Sequence, residues 1–535
     1  MYSDFKAELV SYAENTTIRG VPRFVKTKDP VLKKLWVLFL IACTVTLTFF
    51  LYVAISKYNY WPIRTKYGEK VEGKIAFPDI TICNLDSFAA GYPEILPIEE
   101  FLLLFFKNKK MILEHLVKNE SFSQSYAQKI YEEFNSITGY ILNIPKNCDI
   151  KMDCPDFIIQ CQIHQSNWPD DNKDCSNYFE KHWSPNYYVC YTLKTSKLQT
   201  LSNNMSVRGL YLMLNIGPPS VKQIPYQYSF TRSQARGVQV DVHRSGTPPS
   251  PKNGFSVAPG TENIVTIVQT EKHRLDKPYN KFGCTAETIL NVSPNEFYTR
   301  DSCIEFCKQK NILKNCGCVS HYLEVPLSYM NTTNMCGNFS LDSDQIKEHG
   351  FNVFLMNKNV SDNFQCSQKF LKGTCESSCL TPCDETIYGT FLSTASWPQN
   401  SLQIDLFENF IYEKNCTKTH PEVAKRYKLY TDILEHFYES NLTMTDAINT
   451  NLKATSMKLN QIQESFLTIK FIIKEDIPYY DIEEAAYTWD TMVGVVGGML
   501  SLWLGVSAAT FMEVVDFVYR LLMKRCQKKS NTVAI

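Results

Sequence analysis

The sequence predicts a membrane protein in which two transmembrane helices bracket one large, disulfide-rich, mixed α/β extracellular domain. Three observations carry this. Residues 35–56 and 491–512 are two runs of 22 residues without a charge, each long enough to cross a hydrocarbon core of about 30 Å as a helix. Of the 19 cysteines, 17 lie between the runs and only Cys43 and Cys526 lie elsewhere. The same interval holds eight N-x-Ser/Thr sequons, at Asn119, Asn204, Asn291, Asn331, Asn338, Asn359, Asn415 and Asn441, which read as glycosylation sites.

Residues 1–34 are largely polar and read as a cytoplasmic segment. No small-residue cleavage site accompanies the first run, so 35–56 is expected to stay as transmembrane helix 1. Residues 57–487 are then the extracellular domain, 488–519 the second transmembrane helix, and 520–535 a cytoplasmic tail. Basic residues beside the first run do not orient it, with six in 16–35 and five in 57–76. Beside the second run they do: five in 520–529 against two in 467–486. Dense cysteine belongs to an oxidising compartment. The expectation is a multi-pass plasma-membrane protein, in contact with lipid, with both termini inside.

Within the domain, "FPDITICNL" and "NIVTIVQT" alternate and are β-branched, as strands are. "LPIEEFLLLFFKNKKMILEHLVKN" and "EVAKRYKLYTDILEHFYESN" have helical periodicity, and 246–254 is a turn-rich loop. Cys303 and Cys307 share one face of a helix, Cys316 and Cys318 follow, and Cys375, Cys379 and Cys383 are spaced by fours. Clustered thiolates can bind zinc. Outside the cell disulfides are the expected reading, with no metal and no cofactor.

Lys+Arg and Asp+Glu are equal at 55 each, which gives no charge basis for nucleic-acid binding. The chain lacks G-x-S-x-G, H-E-x-x-H, Walker and G-x-G-x-x-G motifs, and an enzyme is not expected.

The second run holds more than an anchor needs. Gly494, Gly498, Ser501, Gly505, Ala509 and Asp516 fall on or near one helical stripe. Small residues four apart let helices approach closely, so a tight helix pair is one reading. It leaves Glu513 and Asp516 unexplained, because carboxylates at this depth are costly and face wet paths. Residues 475–490 add six acids, Glu483, Glu484 and Asp490 among them, and no base. Repeated by symmetry, such a segment makes a vestibule that concentrates cations. The stripe reads as a pore wall with Ser501, Ala509, Glu513 and Asp516 along it.

"GGMLSLWLGVSAATFMEVVDF", with its Gly-x-Ser at Gly505-Val506-Ser507, resembles the second span of the degenerin/epithelial sodium channel family. So do "FPDITICN" after the first span, "VCYTL" at 189–193, and the cysteine ladder from Cys284 to Cys383. The resemblance implies a trimer, homomeric or with related subunits, around a central pore. Each ectodomain would be divided into palm, β-ball, knuckle, finger and thumb. Permeation would favour sodium ions and amiloride would block. Gly505, Val506 and Ser507 would form the selectivity filter where the second helix breaks, and Gly494 would stand at the gate. Implied disulfides are Cys83–Cys190, Cys284–Cys383, Cys303–Cys379, Cys307–Cys375, Cys316–Cys366 and Cys318–Cys336; Cys148, Cys154, Cys161, Cys175 and Cys416 stay unassigned, one of them free.

One departure stands out. The family carries His-Gly before the first span, and here the pair is Arg19-Gly20. Arg19 in the conduction path would weaken sodium selectivity or conductance; turned to the cytoplasm, or in a heteromer, it would not. "TPPSPKNGF" followed by "APG", and "STASWP", resemble the neuropeptide-gated branch, which implies opening by an RFamide-type extracellular peptide. Glu99, Glu100, Phe101 and Phe105 would suit its arginine and aromatic ring, or else form a solvated amphipathic helix. Proton gating or constant opening is the alternative within the family. A two-span scavenger or adhesion receptor is the alternative outside it.

Overall fold

The computed structural model describes residues 2–70, 75–85, 109–118, 123–138, 154–165, 173–184, 187–199, 207–218, 235–290, 293–320, 323–326, 329, 334–336, 358–371, 375–440, 442–474 and 477–532. The chain divides into two compact units. One comprises Met1–Lys66, Leu275–Gly283 and Ile482–Ile535; the other comprises Tyr67–Arg274 and Cys284–Asp481.

The first unit opens with α1 (Tyr2–Asn15), α2 (Val21–Lys26) and α3 (Pro30–Asn59). Asp29 caps α3 by accepting the Val31 N–H, and Pro30 at the first helical position needs no partner for a missing N–H. Between Leu35 and Ser56 α3 carries no charge, and it is the one continuous helix among the described residues both long and apolar enough to cross a membrane.

Strands β1 (Ile63–Glu69), β2 (Asp79–Asn84), β3 (Ile158–Gln165), β4 (Lys173–Asp174), β5 (Phe179–Ser184), β6 (Tyr188–Leu193), β7 (Val207–Asn215), β8 (Val238–His243), β9 (Phe255–Val257), β10 (Thr261–His273), β11 (Asp384–Ser396), β12 (Phe466–Ile473) and β13 (Tyr479–Ala485) form two sheets. The larger runs β1-β13-β10-β12-β7-β3-β4, with β11 antiparallel along β10. The smaller runs β5-β6-β2-β8-β9. In β10, Val265 and Ile267 are buried while Ile264 is exposed, the alternation its sequence predicts. β2 is buried on both faces: Ile80 and Ile82 enter the apolar core, and Asp79 accepts from the Thr195 N–H and hydroxyl.

Helix α4 (Arg300–Cys316) is capped by the Thr299 hydroxyl at its start and by left-handed Gly317 at its end. α5 (Lys358–Leu371) and α6 (Lys428–Glu439) follow. In α6, Tyr430, Ile433 and Leu434 fill a second core with Phe407 and Tyr427. "EVAKRYKLYTDILEHFYESN" is therefore helical, but as two pieces, Pro421–Arg426 and α6. Of the other expected helix only Lys109–Lys118 is described; Glu99, Glu100, Phe101 and Phe105 lie outside the described residues.

Among the described residues, eight disulfides hold the second unit. Six are Cys83–Cys190, between directly opposed residues of β2 and β6, and Cys284–Cys383, Cys303–Cys379, Cys307–Cys375, Cys316–Cys366 and Cys318–Cys336. The other two, Cys154–Cys416 and Cys161–Cys175, join cysteines that no spacing assigns. Cys148 lies outside the described residues, and Cys43 in α3 is a buried free thiol. Among the sequons, Asn415 is exposed, in a left-handed conformation. Nothing is described of Asn119, Asn204, Asn291, Asn331, Asn338, the Asn359 side chain or Asn441.

One buried acid gives this unit a pH dependence. Glu324 is partly exposed as a residue, but its carboxyl is enclosed and accepts from the Ser184 hydroxyl at 3.1 Å. Burial pushes it up to about 7, against the lowering effects of Ser184 and Lys252. A raised carboxyl favours the folded state when protonated, so this contribution is complete below about 4.5 and is lost as pH rises through about 7. Thermal unfolding of the intact protein should therefore show a midpoint that falls between pH 5 and pH 8, with a shallower fall in Glu324→Gln. Equal slopes in the two proteins would mean that the carboxyl is ionised throughout.

Candidate functional site

The first unit ends in α7 (Trp489–Leu504) and α8 (Ala508–Thr532). Thr488 caps α7, accepting the Thr491 N–H at 3.4 Å. Met492, Val495, Val496, Met499, Leu500 and Trp503 are the partly covered positions, spaced as one helical face. That face meets α3, where Phe50 stacks on Trp503 at 6.2 Å and Tyr58 meets Trp489 edge-on at 6.2 Å. Gly494, Gly498 and Ser501 are exposed. A Cβ added at Gly494, Gly497 or Gly498 would touch nothing within 4 Å. Close packing on α3 is thus not what these glycines do in the single chain.

α7 stops at Gly505. Its φ of +69° is left-handed, its N–H reaches the Ser501 carbonyl at 3.0 Å, and the Val506 N–H reaches the Leu500 carbonyl at 3.2 Å. After three non-helical residues α8 begins, bent 71° from α7. The Ser507 N–H donates to the Thr510 hydroxyl at 3.1 Å, which starts the new helix. A glycine is required here by conformation and by space, since a Cβ would lie 2.7 Å from Arg19 Cγ.

Arg19 is present because residues 16–20 fold back onto this break. Its N–H donates to the Leu504 carbonyl at 2.8 Å. Upstream, the Thr16 hydroxyl donates to Glu513 at 2.9 Å and the Thr17 N–H to the same carboxylate at 3.0 Å. The Thr17 and Thr510 hydroxyls are 2.8 Å apart, and Thr16 and Thr510 are both buried. Gly20 turns the chain with φ +87° towards α2, and a Cβ there would come 3.1 Å from Leu40. Below, Tyr12 of α1 packs on Phe517 at 5.0 Å beside a cavity of about 230 Å³ that Glu8, Thr16, Glu513, Asp516 and Arg520 help line. Asp516 pairs with Arg520 at 2.7 Å, and Ala509 is exposed. Glu513, expected as a pore acid, is in this structure the acceptor that holds the N-terminal segment. Thr16, Thr17 and Thr510 were not legible as site residues; two threonines before Arg19 and one inside an apolar run are the only trace.

On the other side, the acids before α7 have partners. Glu484 pairs with Lys66 at 2.6 Å and Arg64 at 3.1 Å, which hold its carboxyl below the usual range. Glu483 accepts the Leu275 N–H at 3.0 Å. Asp490 lies in the first turn of α7, where a negative charge suits the helix dipole. Glu484 thus receives cations from β1 and Asp481 receives Lys272 of β10 at 3.1 Å, which reduces the field of these two acids.

Comparison with known proteins finds relatives along nearly the whole chain. The FMRFamide-activated amiloride-sensitive sodium channel of Cornu aspersum is 25% identical over 559 residues, covering 97% of this chain and 84% of that one. Acid-sensing ion channel 1A of Danio rerio is 24% identical over 97% of this chain and 89% of its own. The bile acid-sensitive ion channel of Homo sapiens is 22% identical over 95% and 85%. A family profile described as amiloride-sensitive sodium channel matches residues 12–517, nearly the whole chain and both sides of the break at Gly505, and the chain belongs to that family.

Proposed function

We propose that this chain is a subunit of a trimeric, sodium-permeable, amiloride-blocked cation channel of the plasma membrane, opened by an extracellular RFamide-type peptide. The observation that carries the channel reading is the break between α7 and α8 at Gly505, with residues 16–20 bonded to it. In this reading α3 and the α7–α8 pair both cross the membrane. Gly505, Val506 and Ser507 form the filter, and Gly494 and Ser501 face the axis. Ala509, Glu513 and Asp516 lie towards the inner mouth, while Glu483, Glu484 and Asp490 stand outside. The empty space around Gly494 and Gly498 suits neighbouring copies of α7 approaching closely.

Peptide opening rests on the Cornu aspersum relative and on the loop motifs at 247–255 and 393–398. Proton opening is the second reading, favoured by the Danio rerio acid-sensing relative at similar identity and coverage. Voltage clamp of cells expressing the chain separates them. Sodium current evoked by RFamide peptides at constant pH, and blocked by amiloride, supports the first. Current evoked by acid alone supports the second. A surface-expressed chain that conducts under neither stimulus, alone or with related subunits, counts against both.

Gly494 supplies a further check. With no atom near its missing Cβ in the single chain, it tolerates bulk unless other copies crowd it. A bulky thiol reagent on Gly494→Cys should raise resting current; no change in resting or evoked current would remove Gly494 from the gate.

A further inference from the structure

The loop Leu275–Gly283 follows β10, yet it packs with the helices of the first unit. It is a run of tight turns: the Tyr279 N–H reaches the Asp276 carbonyl at 3.1 Å, and the Gly283 N–H reaches the Asn280 carbonyl at 3.1 Å. Its start is tied down by Glu483, which accepts the Leu275 N–H. Its end requires Gly283, with φ +78° and room for a Cβ closed by Asp276 at 2.8 Å. A loop fixed at both ends presents a defined surface.

That surface has an amphipathic character. Tyr279 packs edge-on against Trp61 at 5.2 Å, just past the end of α3. Trp61 packs on Tyr58 at 4.9 Å, and Tyr58 on Trp489 at the start of α7. The aromatic series therefore runs from the loop to the ends of both apolar helices. Phe282 is 74% exposed, the Lys281 ammonium stands 5.8 Å from its ring centre, and Lys277 is exposed as well. Aromatic rings at the ends of apolar helices, with lysines beside them, are the chemistry of a membrane–water interface.

We propose that this loop is a lipid-contacting element, with Phe282 seated among the headgroups of the outer leaflet and Lys277 and Lys281 on lipid phosphates. The inference rests on the reading that α3 and α7 cross the membrane. Phospholipid is favoured over a protein partner because the loop shares a unit with those helices and joins a ring to cations within a few residues.

The test uses the full chain in nanodiscs of phosphatidylcholine and phosphatidylserine, with Cys43, Cys148 and Cys526 replaced by serine. An environment-sensitive fluorophore is placed on Phe282→Cys, Lys281→Cys, Val45→Cys in α3, or Lys310→Cys in α4. Lipids spin-labelled near the headgroup should quench positions 282 and 281 several-fold more than position 310. Lipids labelled deep in the chain should quench position 45. Quenching at 45 with 282 and 281 no different from 310 overturns the proposal and leaves the spanning reading intact. Loss of quenching at 45 overturns the spanning reading itself. Shielding of 282 from both lipid quencher and aqueous iodide would mean that a neighbouring protein surface covers it, and would equally overturn the proposal.

Discussion

Gly505→Ala is expected to weaken or abolish the preference for sodium over potassium, read as a shift in the reversal potential of the open-state current. Two effects act together. A non-glycine residue in the left-handed region costs roughly 1–2 kcal/mol, and the new methyl group would lie 2.7 Å from Arg19 Cγ. Either the turn opens or residues 16–20 move away; both displace the carbonyls of Leu504 and Gly505 from where α7 leaves them. A filter that replaces an ion's water with fixed oxygens depends on their number and spacing. Ser507→Cys tests the same belt without the strain, because it changes an exposed side chain and leaves the φ of Gly505 alone. It should shift the reversal potential less than Gly505→Ala. A channel that conducts normally with unchanged selectivity after both changes would place the filter elsewhere.

Glu513 should separate into two roles when neutralised in two ways. Glu513→Gln keeps an oxygen that can accept the Thr17 N–H while removing the charge. Glu513→Ala removes both and leaves the Thr16 hydroxyl and Thr17 N–H without their acceptor. The glutamine variant should lower single-channel conductance with little change in reversal potential. The alanine variant should lower conductance further and also shift selectivity, because Arg19 is positioned through the same segment. Thr17→Pro, which deletes the N–H donor, should resemble the alanine variant. Identical behaviour of Gln and Ala would show that the carboxylate acts by charge alone. Asp516→Asn breaks only an exposed pair with Arg520 and should have the smaller effect.

The apolar helix α3, the strands β2 and β10 and the helix α4 were legible because each is written locally, in hydropathy, in alternation or in the four-residue spacing of Cys303 and Cys307. What escaped was non-local. The N-terminal segment meets Glu513 across 497 residues, and no periodicity in "NTTIRG" or "FMEVVDF" records that meeting. Cys154 and Cys416 are 262 residues apart, beyond any spacing rule. Glu484 looked unopposed because its cations lie 418 and 420 residues away on β1, and Asp481 because Lys272 stands on β10. The break at Gly505 is an intermediate case: a helical stripe ran through it smoothly, and only the Gly-x-Ser resemblance marked it. Arg19 was legible as a departure from the family pair, but its place beside Gly505 was not.

The bridges between α4 and the segment around α5 also constrain how this sequence can change length. Cys303 and Cys307 are four residues apart, as are their partners Cys379 and Cys375; Cys307 and Cys316 are nine apart, as are Cys375 and Cys366. The two segments run in opposite directions in matched steps, like the sides of a ladder with three rungs. A single inserted residue between Cys307 and Cys316 would rotate one helical side by about 100° relative to its rungs, leaving either the lower bridge or the upper pair out of reach. Viable relatives should therefore carry insertions and deletions in this region in compensating pairs, one on each side, or outside the span of the rungs altogether.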